Sequence, residues 1–224
     1  MKLALQTLAS GLFSLVFFGV ALFWPAGTFD YWQAWVFIGV FVAATLIPSC
    51  YLAVKDPAAL RRRMHGGPTA ETRLLQKIIV SAIIVSVLLV LVISALDHRF
   101  GWSNVPTPVV LVGDVLVAVG LVLAQLVVFQ NSFAGGSIRV EAEQHLVSTG
   151  LYGLVRHPMY FGALVMMLGT PLALGSYRGL VAAHLTVPIL GVRISDEESK
   201  LRTALDGNDD YTHKERNRLV PHVW

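Results

Sequence analysis

Cysteine is almost missing from this chain: Cys50 stands alone among 224 residues. An intrachain disulfide is therefore impossible, a cysteine-based metal cluster is excluded, and no metal ligand set is assigned. Cys50 lies inside an apolar run, where the expected role is that of a small buried hydrophobe. Charge is scarce too. Asp, Glu, Lys and Arg make up 14% of the residues, against roughly 25% in soluble domains. No internal repeat or low-complexity tract breaks the chain, and no nucleic-acid partner is expected. What fills the space is apolar: 55% of the residues are hydrophobic and the mean hydropathy is +0.65. This is the composition of an integral membrane protein.

A hydrocarbon core of about 30 Å takes roughly 20 apolar residues of helix. Six stretches come near that length: Leu5–Trp24, Trp32–Val54, Ile78–Leu96, Pro108–Phe129, Met159–Leu174 and Arg178–Val192. The first could pass for a secretory leader, but its apolar run continues to Trp24, longer than the roughly 7–15 residues of a signal core. It is read as a span. The last two are short and separated by Gly175-Ser176-Tyr177, which predicts a tight helical hairpin with Gly175 ending its first helix. Pro171 and Pro188 are expected to kink that hairpin. The fold class is all-α: a polytopic bundle of about six spans with a C-terminal tail helix. Residues 1–130 form a four-span region and 131–224 a functional core, together one integral domain.

Arginine and lysine concentrate in alternate loops. Lys55–Lys77 holds Arg61, Arg62, Arg63 and Arg73; Arg139 and Arg156 follow the fourth span; Arg193, Lys200, Arg202, Lys214, Arg216 and Arg218 lie in the tail; the other loops carry Arg99 and Arg178. Positive charge favours the cytoplasmic side, so both termini and the polar stretches are expected there. The 55–77 arginines serve as positive-inside anchors or bind anionic headgroups. Trp24, Tyr31, Trp32, Trp35, Trp102 and Trp224 fit interfacial aromatic belts. Asp114, inside the fourth span, is a functional candidate, or else reaches the outer interface or bonds a neighbouring helix. Gln125 and His184 suit interhelical hydrogen bonds.

Two polar stretches carry the chemistry. Gln144–Gly162 reads QHLVSTGLYGLVRHPMYFG and ends in Arg156-His157-Pro158, with proline suited to the first turn of a helix. The unpaired N–H groups of that turn favour an anion, and Gly150 and Gly153 would let backbone approach a ligand. The second stretch begins RISDEESKL at Arg193. Arg193 and Glu197, four apart, share a helix face, and Leu201 and Leu205 continue its apolar side. Arginine for a carboxylate or phosphate, acids for hydroxyls or a cation, and a helix start for an anion suit S-adenosylmethionine. A nucleotide-sugar or a phospholipid headgroup fits the same mixture, and so does a salt-bridge network tethering the tail to the loop.

These residues resemble one family. Asn131-Ser132-Phe133, then HLVSTGLYGLVRHPMYFG, then Arg193-Ile194, Glu197-Glu198 and Leu201, and the tail from Tyr211 to Arg218-Leu219-Val220-Pro221-His222-Val223-Trp224 look like the isoprenylcysteine carboxyl methyltransferases, in their prokaryotic branch. The resemblance spans roughly Asn131 to Trp224; earlier residues match only as hydrophobic spans. RHPxY alone is less specific, since phospholipid N-methyltransferases and some membrane sterol reductases carry a similar motif. The resemblance implies S-adenosylmethionine as cofactor, held by Gln144, His145, Leu146, Val147, Tyr152, His157, Pro158, Met159, Tyr160, Glu197 and Glu198. It implies that Arg193 holds a substrate carboxylate and that Glu198 orients Arg193 or the cofactor. The aromatic residue that often follows the tail tyrosine by three is Lys214 here, and an upstream cofactor contact falls at Arg139 or Glu141. The implied acceptor is a lipophilic or prenylated carboxylate in a membrane lipid setting. The alternatives are a phospholipid amine N-methyltransferase and a non-catalytic membrane scaffold.

Overall fold

The computed structural model describes residues 2–138, 144, 146–204, 207–221 and 223–224. Among them the regular structure is helical. Helices α1 (Lys2–Ala26), α2 (Trp32–Lys55), α4 (Leu74–Phe100) and α5 (Thr107–Gln130) are long and apolar enough to cross a membrane. The short α3 (Pro57–Met64) lies in the loop between α2 and α4, capped at its start by Asp56, whose carboxylate accepts from the Ala59 N–H at 3.0 Å. The chain continues through α6 (Pro158–Ala173), α7 (Arg178–His184), α8 (Thr186–Ala204) and α9 (Asn208–Lys214).

The α6–α7 turn forms as its residues demand. Gly175 has φ +69°, donates to Leu172 O at 2.9 Å, and is followed by Ser176 N–H donating to Pro171 O at 2.8 Å. This pair of bonds closes a helix through a left-handed residue, where glycine carries no Cβ penalty. The expected sixth span, Arg178–Val192, is corrected. It is interrupted at Leu185, and α8 runs on through the polar residues to Ala204. Pro188 explains the break: it has no N–H for the carbonyl of His184, and its ring occupies the place of that bond. Cys50 is also corrected, since it is exposed on α2; in lipid, an outward face accepts the same apolar residues as a core.

α5 and α6 run antiparallel with their backbones in contact. Gly113 and Gly120 face Gly162 and Gly169. A Cβ on Gly113 would lie 2.2 Å from Ala173 N, and one on Gly120 would lie 2.4 Å from Gly162 O. Close approach of this kind is how helices associate in lipid, where no hydrophobic force separates helix from hydrocarbon. It sets the start of α6 beside the end of α5. At the opposite end, Asp97 accepts from Ser103 N–H (2.7 Å), Ser103 Oγ–H (2.7 Å) and Ser176 Oγ–H (2.5 Å), while Tyr31 Oη–H donates to Leu174 O at 2.7 Å. These contacts tie α2 and α4 to the hairpin. Asp114 is buried in α5, and neither carboxylate oxygen has a hydrogen-bond partner among the described residues. Gln125 is buried on the same helix. His184 is exposed, its Nδ1 2.7 Å from Leu180 O.

The seam is testable. Gly120→Ala and Gly162→Ala should each destabilise by about 1–3 kcal/mol or more, as overpacking against backbone does. Gly19→Ala, where nothing lies within 4 Å of the added carbon, should leave the thermal midpoint in detergent unchanged. Equal midpoints for all three would mean that α5 and α6 do not touch in this way.

Candidate active site

Four pieces of chain meet where α5 stops and α6 starts. Asn131–Ile138 follows α5; Gln144 and 146–160 lead into α6; Arg193, Glu197 and Leu201 come from α8; Asn208 and Tyr211 come from α9. Together they line a cavity of about 890 Å³, part of it open to solvent. Its wall mixes apolar Leu146, Val147 and Met159 with polar Asn131, Gln144, Tyr152, His157, Tyr160 and Glu197. Pro158 is the first residue of α6, so the N–H groups of Met159 and Tyr160 start a helix without intrahelical partners.

Arg193 is buried on this wall, with three of its donors fixed. Nε–H donates to Tyr160 Oη (2.9 Å), one terminal nitrogen to Gln76 Oε1 (2.8 Å) and the other to Glu71 Oε1 (3.1 Å). A guanidinium has five N–H donors, so two have no partner among the described residues. Glu71 is itself buried and accepts from Ile138 N–H at 3.4 Å. Gln76 donates to Asp196, which Arg73 grips with both terminal nitrogens at 3.0 and 2.9 Å. Tyr160 passes the chain on, its hydroxyl donating to Glu197 Oε2 at 2.6 Å.

Glu198 faces the other way. Its carboxylate lies 3.0 Å from Arg156, 3.2 Å from His157 Nε2 and 3.3 Å from Arg218 Nε. It does not line the cavity, and its described contacts do not include Arg193; of the two expected roles, orienting Arg193 or the cofactor, the first falls to Glu71, Gln76 and Tyr160. Glu198 instead binds the tail to the loop, where Arg156 N–H donates to Asn217 O and His157 N–H to Arg218 O, both at 2.9 Å. Burial alone would raise the Glu198 pKa. The hydrogen bond from His157 and the charges of Arg156 and Arg218 outweigh it and hold the carboxyl below its ordinary value. Burial lowers the Arg156 pKa against the pull of Glu198. Burial also raises the Tyr152 phenol, so it stays a neutral hydroxyl. That hydroxyl accepts from Asn131 Nδ2 at 3.2 Å, and Tyr211 Oη–H donates to the Tyr152 carbonyl at 2.7 Å.

A family model described as phospholipid methyltransferase matches residues 108–205. The match runs from the start of α5 to the end of α8 and takes in the glycine seam, the loop, Arg193, Glu197 and Glu198. It supports a membrane methyltransferase. No curated protein matches, and no solved structure matches. The finer resemblance to isoprenylcysteine carboxyl methyltransferases rests on the quoted motifs.

The structure thus brings Gln144, Leu146, Val147, Tyr152, His157, Pro158, Met159, Tyr160, Arg193 and Glu197 to one cavity. His145, Arg139 and Glu141 lie outside the described residues, as does Leu205. Gly150 and Gly153 do not line the cavity. The missing Cβ at Gly150 (φ +63°) makes room for the Gln130 side chain, which would lie 2.8 Å away and whose Oε1 accepts from Leu151 N–H at 3.0 Å. Sequence reasoning missed Glu71 and Gln76. Glu71 had a signal: it is the sole acid between Asp56 and Asp97, inside a basic loop.

Glu198→Gln should cost about 3 kcal/mol, because it leaves buried cations without their counter-charge. The depressed pKa fixes the sign of the pH dependence. The stabilisation is complete above the ordinary glutamate value of about 4.3 and is lost as pH falls through the lower folded-state value. Thermal midpoints of both proteins should differ at pH 7 and converge below pH 4. A constant gap would remove Glu198 from the tether.

Proposed function

We propose that this chain transfers a methyl group from S-adenosylmethionine to a carboxylate on a prenylcysteine-like or other isoprenoid or lipid acid, at a site facing the cytoplasm. The observation that carries the reading is Arg193: a buried fork on the cavity wall, set by three partners before any ligand arrives. A fork of this kind suits a carboxylate, which it grips through two parallel N–H bonds.

The donor set fits the cofactor. Glu197 suits a cation, the start of α6 suits a carboxylate, Asn131, Gln144 and Tyr152 suit hydroxyls, and Leu146, Val147 and Met159 suit an apolar ring. When bound, the cofactor supplies a methyl group on a positively charged sulfur. A carboxylate is already an anion at pH 7, so no residue here has to remove a proton. The work of the protein is alignment, worth roughly 7–11 kcal/mol when reacting atoms are held in line. Arg193 orients the acceptor oxygen. Glu71 and Gln76 hold Arg193. Glu198 holds Arg156, His157 and Arg218 together and so keeps the start of α6 and the tail in place beside the cavity.

A second reading is favoured by the description of the matching family: an amine headgroup as acceptor. An ammonium must lose a proton before it attacks, and His157 and Glu197, both on the cavity wall, could serve as its base. In the third reading, a membrane scaffold, the cavity binds no cofactor.

Glu197→Gln should weaken S-adenosylhomocysteine binding by about 1.5–3 kcal/mol, the value of a hydrogen bond to a charged group. Calorimetry on detergent-solubilised protein measures it; no binding by the unmutated protein would favour the scaffold. Arg193→Lys separates the two enzymes. Lysine keeps the charge but loses the fork, and a misplacement of about 1 Å can cost 100-fold in rate. Turnover on a prenylcysteine analogue should fall by about that factor while cofactor binding holds. Labelled methyl should leave the product as methanol in mild alkali, as an ester does. Alkali-stable label on phosphatidylethanolamine, with the lysine variant active, would establish the amine reading instead.

A further inference from the structure

The three arginines of α3 do not share one task. Arg62 stacks over Phe133, 4.7 Å from the ring centroid, and donates to Ser132 O at 3.4 Å. Arg63 turns inward and contacts Met159 Sδ at 3.3 Å. Both brace the candidate active site. Arg61 points elsewhere, as the turn of about 100° per residue in a helix requires. It is exposed, and its guanidinium has no hydrogen bond or ion pair among the described residues.

Arg61 and His65 line one side of an open groove whose other side is the first half of α1. There Gln6, Ser10 and Ser14 recur every fourth residue, which places them along one helix face. Ser14 Oγ–H is satisfied by Ser10 O at 2.9 Å. Gln6 and Ser10 are exposed on a helix long and apolar enough to cross a membrane. Leu3 and Phe13 give the groove an apolar flank, and among the described residues no aspartate or glutamate lines it. It shares no lining residue with the candidate active-site cavity.

We propose that this groove binds one anionic phospholipid. Arg61, with His65 and Gln6, receives the phosphate, and the acyl chain lies along Leu3 and Phe13. Charge complementarity selects the headgroup: the lining carries a free guanidinium, an imidazole and hydroxyls, and no acid to repel a phosphate or attract an ammonium. The apolar flank on a membrane-crossing helix selects a lipid over a soluble phosphate. An ordinary positive-inside arginine needs neither the polar stripe on α1 nor the groove.

The test uses the whole protein in dodecyl maltoside and counts bound lipid by native mass spectrometry. Phosphatidylglycerol, phosphatidylcholine and glycerol phosphate are offered separately. One phosphatidylglycerol should be retained in preference to phosphatidylcholine, and glycerol phosphate should not displace it. Arg61→Gln should lower retention about fivefold, the worth of one arginine near an anionic surface. His65→Gln, on the same groove, gives a second reading should the first variant not fold. Lys55→Gln, an exposed cation on α2, should retain lipid as the unmutated protein does. Equal retention of both lipids, equal loss in Lys55→Gln, or displacement by glycerol phosphate would each overturn the proposal.

Discussion

Backbone contact between α5 and α6 is the constraint on which the rest of the structure depends. Lipid gives two helices no hydrophobic reason to associate, so close packing has to supply it. Four glycines let the backbones touch, and the contact fixes both separation and axial register. Register matters because Asn131 follows the last turn of α5 and His157 precedes the first turn of α6. A slip by one turn would move them past each other by about 5.4 Å, and the Asn131–Tyr152 hydrogen bond could not form. Asp97 does the complementary work at the far end, where it holds Ser103 and Ser176 and so fixes where the hairpin turns.

On that frame, two carboxylates on adjacent residues face different groups. Glu197 turns to the cavity and Tyr160, while Glu198 turns away to Arg156, His157 and Arg218. Neighbouring residues on a helix are separated by about 100°, so an EE pair divides its work between two faces of one helix. The cavity wall and the tail tether are therefore mechanically linked through a single turn of α8. Glu71 completes the arrangement from a loop that the family match does not reach. It leaves Arg193 charged but immobile, the condition under which a guanidinium selects by geometry more than by attraction.

Much of this was legible before any coordinates. Hydropathy located the long helices, and Gly175 and Pro158 marked a helix end and a helix start through local backbone chemistry. The two polar stretches were joined on the sequence by motif resemblance and by complementary charge. Three things were not legible, each for a physical reason. The apolar run Arg178–Val192 concealed a break, because hydropathy does not register the carbonyl that Pro188 leaves unpaired. Gly150 suggested ligand approach, but an absent Cβ makes room for a side chain as readily as for a ligand. Two of the three partners of Arg193, Glu71 and Gln76, lie more than 100 residues away in the chain, and no periodicity connects residues across that distance.

The relation between the two enzymatic readings follows from the same geometry. Both need a methyl donor beside Glu197 and an acceptor across the cavity; they differ in the charge on the acceptor. Arg193 is already neutralised by Glu71, so a second anion approaching its two remaining N–H groups meets less net positive charge than a bare arginine offers. Directionality then carries most of the discrimination. An acceptor carboxylate can accept from these N–H groups with the reacting group itself, whereas an amine headgroup can meet them only through its phosphate. On the proposed reading, the Glu71–Arg193 pair places the discrimination in the direction of its N–H groups more than in net charge.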